Sequence, residues 1–122
     1  MGSHPINLGV RFLLEMAALV AMGYWGWTQN EGVWRWLLVI GLPLIAAVLW
    51  GTFAVPDDPS RSGNAPVPTP GVIRLLLELA FFALAVFLLT VSQRFSLGMA
   101  LAVITVIHYA ISYDRILWLI RN

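Results

Sequence analysis

Two pairs of opposite charges stand inside apolar stretches of the sequence. Arg11 and Glu15 are the only charged residues of the first apolar stretch, and Arg74 and Glu78 repeat the same spacing of four in the third. A carboxylate in such surroundings can titrate, bind a small cation or receive a guanidinium. The chemistry open to the chain therefore depends on the elements that position these two pairs.

The composition is that of a protein whose solvent is lipid. Of 122 residues, 60% are hydrophobic and only 11% are charged, against roughly 25% charged residues in soluble domains. Four apolar stretches are each long enough to cross about 30 Å of hydrocarbon as an α-helix, and they lack the alternation of barrel strands. They define one membrane domain of residues 1–122, with predicted spans at 6–28, 33–55, 72–92 and 95–120.

The arginines predict the orientation of these four spans. Both termini and the loop of residues 56–71 share one side, which carries five arginines against two on the other side. The positive-inside rule places that side in the cytoplasm. Aromatic rings mark the interfaces, with Trp50 and Trp118 on the inner side and, on the outer side, Tyr24, Trp25, Trp27, Trp34 and Trp36. Residues 1–4 read as an expression remnant, so His4 is set aside.

The two halves of the chain are related by a repeat. The segments GVRFLLEMAALVA and VIRLLLELAFFAL align at an offset of 63 residues, which matches Arg11 with Arg74 and Glu15 with Glu78. Runs one and three point the same way across the bilayer, so the sequence predicts a four-transmembrane-helix bundle with a parallel 2+2 internal repeat. The second and fourth runs match poorly, which indicates that the second half is specialised.

The loop of residues 56–71 is the only long polar segment. Its Pro, Gly and Ser content predicts a flexible connector without a core of its own. Asp57 and Asp58 offer carboxylates for a cation or a partner, but PDDP lacks the ligand count and turn geometry of a metal loop.

The fourth run brings further polar groups to the depth of the two glutamates. Thr105, His108 and Ser112 follow helical spacing toward Arg115, and such a stripe is expected to face the bundle interior. The predicted intramembrane cluster of three cations and three anions, with two polar residues, comprises Arg11, Glu15, Arg74, Glu78, His108, Ser112, Asp114 and Arg115. Arg115 is the expected partner of Glu15. The two helical arginines near the interface are expected to snorkel toward water.

Two interpretations of this cluster remain open. In the first it is a structural lock of buried ion pairs that sets helix register. In the second Glu15 or Glu78 titrates, or binds a small cation or polar solute that enters from the cytoplasm. Replacement of a glutamate by glutamine separates the two, because it keeps the shape and removes the titration.

His108 and Pro43 each carry a structural and a functional alternative. His108 is either a hydrogen-bonded core histidine or part of a proton relay with Tyr109 or Tyr113. Metal or haem ligation is disfavoured, because it is the only other histidine besides His4 and the chain has no cysteine. Pro43 predicts a kink in the second helix, which either serves packing or opens a cavity over His108.

Small residues at a spacing of four predict close helix contacts. The two pairs are Ala47 with Gly51 and Gly98 with Ala102. Such faces serve either contacts within the bundle or a homodimer or other membrane protein partner.

Three segments of the chain together resemble a known family. NLGVRFLLEMAALVAMGYWGW, IGLPLIAAVLWGTFAVP and RLLLELAFFALA are similar to the YrdB-like family of small bacterial four-span membrane proteins. The resemblance covers nearly the whole span region. It implies a multi-pass protein of the bacterial cytoplasmic (inner) membrane, and because the family is functionally uncharacterised it carries over no catalytic residues.

These observations favour a non-catalytic structural or accessory four-helix bundle held by the buried Arg/Glu/Asp layer. The alternative is a small transporter or channel that uses Glu15, Glu78 and His108 as an intramembrane site. It compares with the small multidrug resistance proteins, which have four short spans and a membrane glutamate in the first helix. An enzyme is disfavoured, because His108 and Ser112 align on one helix while Asp114 points elsewhere, and no cofactor or metal motif accompanies them. The absence of a basic patch excludes nucleic acid.

Overall fold

The computed structural model describes residues 5–29, 31–56, 58 and 65–122. The expression remnant predicted at residues 1–4, together with Asp57, lies outside this part of the chain. The elements in it are the helices α1 (Pro5–Thr28), α2 (Gly32–Thr52), α3 (Gly71–Val91), α4 (Phe95–Ile111) and α5 (Tyr113–Arg121), and the strands β1 (Phe53–Ala54) and β2 (Val67–Pro68). The two strands pair in parallel. This pairing holds the two ends of the loop between them close to each other.

Three helices are long and apolar enough to cross a membrane, namely α1, α2 and α3. Helices α4 and α5 meet this criterion only together, and they are bent by 69° at their junction. The described residues therefore hold three such helices, or four if the bent pair counts as one span. With 17 residues α4 is about 25 Å long.

The predicted fourth span over residues 95–120 is not one straight helix, because the helix breaks at Ser112. The side chain of Ser112 accepts a hydrogen bond from Asn7 Nδ2 at 2.6 Å, which joins the break to the start of α1. Asp114 lies in the first turn of α5, where the helix dipole favours an anion. Beyond the break α5 packs against α3, and the backbone of Leu119 lies so close to Gly71 that a Cβ there would overlap it.

Each half of the chain forms a helical hairpin that approaches closely at a glycine. In the first hairpin a Cβ on Gly26 would lie 2.8 Å from the backbone of Leu38, and in the second a Cβ on Gly98 would lie 3.3 Å from the Val86 carbonyl oxygen. The predicted close contact at Gly98 is thus made within the chain. By contrast, a Cβ on Gly51 would meet nothing within 4 Å.

The connector packs against the bundle at two of its described residues. Asp58 and Thr69 are buried, and the backbone N–H of Thr69 donates to the carbonyl of Ala54 in β1 at 3.0 Å. That the connector is flexible and has no core of its own stays a prediction. Trp50 was expected to anchor the inner interface, but it is also buried. Its ring lies 4.5 Å from that of Phe81, so its apolar area is used in the core.

Candidate functional site

The carboxylate of Glu78 is the centre of a buried ion-pair cluster. Its side chain has no exposed surface. Oε2 accepts a hydrogen bond from Arg74 Nε at 2.8 Å and another from Arg115 Nη2 at 2.5 Å, and Arg11 Nη2 lies 2.9 Å away. Oε1 accepts a hydrogen bond from the Tyr109 hydroxyl at 2.7 Å. Three guanidinium groups and one phenol thus surround a single carboxylate.

Four helices position these donors. Arg11 lies on α1, Arg74 lies one turn before Glu78 on α3, Tyr109 is near the end of α4, and Arg115 is on α5. The N-terminal turns of α1 and α3 meet the C-terminal part of the chain at one end of the bundle. A buried charge is costly unless it is paired, and here the helices supply the pairs to one another.

Arg74 also caps the C-terminus of α2. Its Nη1 donates to the carbonyl oxygens of Trp50 at 2.5 Å and of Phe53 at 2.8 Å. These groups lie where a helix end leaves carbonyls without partners and where its dipole favours a cation. The guanidinium lies 4.4 Å from the centroid of the Trp50 ring. Because Arg74 is fully buried and Arg11 is 4% exposed, the prediction that both snorkel to water is wrong.

Asp58 in the connector is the residue that the sequence reasoning left out of the cluster. It is 1% exposed, and its Oδ1 accepts a hydrogen bond from Arg115 Nη1 at 2.6 Å. Asp114, which was predicted to belong to the buried layer, is exposed. The bend at Ser112 turns Arg115 and Leu119 toward the bundle and Asp114 away from it. The sequence held one indication of this contact. Asp58 directly follows the second apolar run, which places it at about the same predicted depth in the bundle as Arg115.

Glu15 lies at the edge of the cluster. Its side chain is 19% exposed, and it lies 3.3 Å from the Nε of Arg11, its neighbour on the same helix. Arg115 pairs instead with Glu78 and Asp58, so the prediction that Arg115 is the partner of Glu15 is wrong. With Asp58 in place of Asp114, the cluster still contains three cations and three anions.

The polar stripe of α4 lies inside the bundle above this cluster. Thr105 and His108 are buried, as is Ser112 at the helix break. Within the described part of the chain the two ring nitrogens of His108 and the hydroxyl of Thr105 have no hydrogen-bond partner. The Tyr109 hydroxyl donates to Glu78 and Tyr113 is exposed, so no hydrogen bond among the described residues joins His108 to either tyrosine. The alternative of a proton relay stays a prediction.

Pro43 lies inside a helix that continues on both sides of it. A Cβ on Gly23 would lie 3.5 Å from the Val39 carbonyl oxygen and 3.7 Å from Pro43 Cγ, so the proline region packs against α1. The alternative that the kink opens a cavity over His108 stays a prediction, and the cavities near α1 and α4 and near α2 and α3 are lined by neither Pro43 nor His108. The described residues hold no group of three or more His, Asp or Glu side chains placed to bind a metal ion.

Comparisons with known proteins give a family model and a relative of similar length. A family model described as a protein of unknown function (DUF2568) matches residues 9–106. The chain is 40% identical over 116 residues to the Uncharacterized protein YrdB of Bacillus subtilis (strain 168), which covers 95% of this chain and 94% of that protein. No solved structure matches the chain. The family match includes Arg11, Arg74 and Glu78 and ends before Tyr109 and Arg115.

Proposed function

The chain belongs to the DUF2568 family of proteins of unknown function, as its resemblance to YrdB-like proteins indicated, and from this premise we propose a non-catalytic, accessory role in a membrane. The protein is a multi-pass bundle of the bacterial cytoplasmic membrane with both termini inside. It acts by presenting a rigid helical surface to a membrane protein partner. The buried ion-pair cluster around Glu78 locks the helices in register.

The engagement of Glu78 by three arginines and a tyrosine is the observation that carries this proposal. Both carboxylate oxygens are occupied by donors of the protein itself. A transport carboxylate must exchange its partners for a proton or a substrate, whereas this one already has as many donors as a buried carboxylate usually accepts. Buried pairs of this kind specify geometry and are costly to break singly.

An affinity capture from native membranes, combined with a flux assay, tests the accessory role. The tagged chain is expected to recover a membrane protein partner. The purified protein in proteoliposomes is expected to conduct no protons or small cations. Glu78→Gln is expected to lose the partner through loss of helix register, while Val106→Ala on an exposed face of α4 retains it. A clear flux together with no recovered partner contradicts the proposal.

A small transporter or channel is the second candidate function. It is favoured by the partial exposure of Glu15 and by the polar groups of Thr105 and His108 inside the bundle. A pH-dependent flux into proteoliposomes that disappears in Glu15→Gln or His108→Gln supports this candidate. A flux that is absent, or that is unchanged in both variants, removes it.

The proposed orientation is tested by labelling introduced cysteines. The chain has no cysteine, so Gln29→Cys after α1 and Pro66→Cys in the connector provide single reporters. In intact cells a membrane-impermeant maleimide is expected to label Gln29→Cys. Pro66→Cys is expected to react only after the membrane is permeabilised. The reverse pattern contradicts cytoplasmic termini.

A further inference from the structure

An apolar groove runs along the outside of the bundle between α1 and α4. Its volume is about 510 Å³. Its walls are side chains exposed to the surroundings, among them Leu13, Val20 and Ile104, and its floor is formed by buried residues that include Leu14 and Leu101. The groove exists because Ala17 and Ala21 are small at the same face of α1 where the neighbouring positions are large.

A basic residue lies at one end of this groove. Tyr24 lines the groove, and its hydroxyl accepts a hydrogen bond from Arg94 Nε at 2.7 Å. Arg94 precedes α4 and is exposed. Its guanidinium carbon lies 5.5 Å from the centroid of the Tyr24 ring, and no acidic side chain of the described residues lies within ion-pair distance of it. The apolar groove therefore ends beside an exposed guanidinium group.

The lining and the charge at one end of the groove select its occupant. From Val10 to Tyr24 the groove follows α1 for roughly 21 Å, and all its lining residues except Tyr24 are aliphatic. A hydrocarbon chain fits such a lining because it needs no hydrogen-bond partner. The exposed guanidinium of Arg94 at the Tyr24 end complements an anionic headgroup. An apolar chain joined to an anionic group is the chemistry of a phospholipid.

We propose that this groove is a phospholipid site in which one acyl chain lies between α1 and α4 and the phosphate contacts Arg94. A guanidinium forms strong, charge-assisted hydrogen bonds to phosphate oxygens. In the orientation proposed above, the lipid belongs to the outer leaflet. The inference requires that the chain lies in a bilayer, but it is independent of the ion-pair lock and of any partner.

Native mass spectrometry of protein extracted from vesicles of phosphatidylglycerol and phosphatidylcholine tests the site. The wild-type chain is expected to retain one phospholipid, with phosphatidylglycerol preferred. Ala17→Phe fills the groove, and its retained phospholipid is expected to fall roughly tenfold. Arg94→Gln is expected to remove most of the preference for phosphatidylglycerol. Ala47→Phe, on an exposed face of α2 outside the groove, is the matched control and is expected to behave as wild type.

Three results overturn the assignment. The first is equal phospholipid retention by Ala17→Phe and Ala47→Phe. The second is an unchanged phosphatidylglycerol preference in Arg94→Gln, which replaces an exposed side chain and is expected to fold even if Ala17→Phe does not. The third is a loss of dimer in Ala17→Phe without a loss of lipid, which assigns the groove to a second copy of the chain. Failure to recover the protein in vesicles instead contradicts the membrane placement itself.

Discussion

The two copies of the Arg/Glu motif occupy different environments in the folded chain. Glu15 on α1 is partly exposed and pairs with its own neighbour Arg11. Glu78 on α3 has no exposed surface and receives Arg11 as well as its own neighbour Arg74. Arg11 of the first motif therefore also pairs with Glu78 of the second motif. The comparison shows that a spacing of four defines only a local pair, and that the surrounding helices decide which pair becomes central.

The position of α3 explains this difference. Helices α1, α4 and α5 all pack against α3, so a side chain on its inner face meets donors from several elements. Glu15 lies at the edge, where part of its side chain remains exposed. The second half of the chain thus holds the centre of the cluster. The first half supplies Arg11, Glu15 at the edge, Asp58 and the end of α2.

The largest expected effect is that of Glu78→Gln. It leaves three buried guanidinium groups without their common anion, so the free energy of unfolding in mixed micelles is expected to fall by about 3 to 5 kcal/mol. The measurement is denaturant unfolding followed by tryptophan fluorescence. A loss no greater than that of Glu15→Gln would show that the two copies are equivalent after all.

The contact between Asp58 in the connector and Arg115 gives the second-largest expected loss of unfolding free energy. Asp58→Asn removes the anion that Arg115 Nη1 contacts, while Glu78 still holds the other side of the guanidinium, so the expected loss is about 2 kcal/mol. A double-mutant cycle with Arg115→Gln measures the coupling, which is expected to be positive and at least about 0.5 kcal/mol. Additive losses would mean that the connector does not belong to the cluster.

Tyr109→Phe sharpens the comparison, because only Glu78 has a hydroxyl donor from another helix among the contacts described. The variant keeps the ring that packs 6.1 Å from Phe82 and removes one hydrogen bond to a charged acceptor. The expected loss is about 1.5 kcal/mol. Tyr113→Phe on the exposed side of α5 is the matched control and should leave the unfolding curve unchanged.

The smallest expected effect is that of Glu15→Gln. Its carboxylate is partly exposed and its pair with Arg11 is an i,i+4 contact at 3.3 Å, so the expected loss of unfolding free energy is below about 1 kcal/mol. Arg11 retains its contact with Glu78 in this variant. A loss as large as that of Glu78→Gln would remove the distinction between edge and centre.

Much of the fold follows from local patterns in the sequence. The apolar stretches predicted α1, α2 and α3 to within a few residues, because burial in hydrocarbon requires a continuous apolar helix. The pattern also placed Arg11, Arg74, Glu78 and Arg115 at a common depth. It failed at Ser112, because hydropathy does not change where the helix bends, and the bend coincides with a contact between Ser112 and the distant Asn7.

The sequence by itself determined the helices, the two Arg/Glu pairs and the equal numbers of charges available to pair, since these depend on composition and on spacings of a few residues. Only the tertiary structure decided that Glu78 is the centre, that Asp58 replaces Asp114 as an anion of the cluster, and that Arg115 serves both. Those choices rest on contacts between residues 37 and 57 positions apart. Packing selects such contacts, because a buried charge is stable only where the donors of other helices reach it.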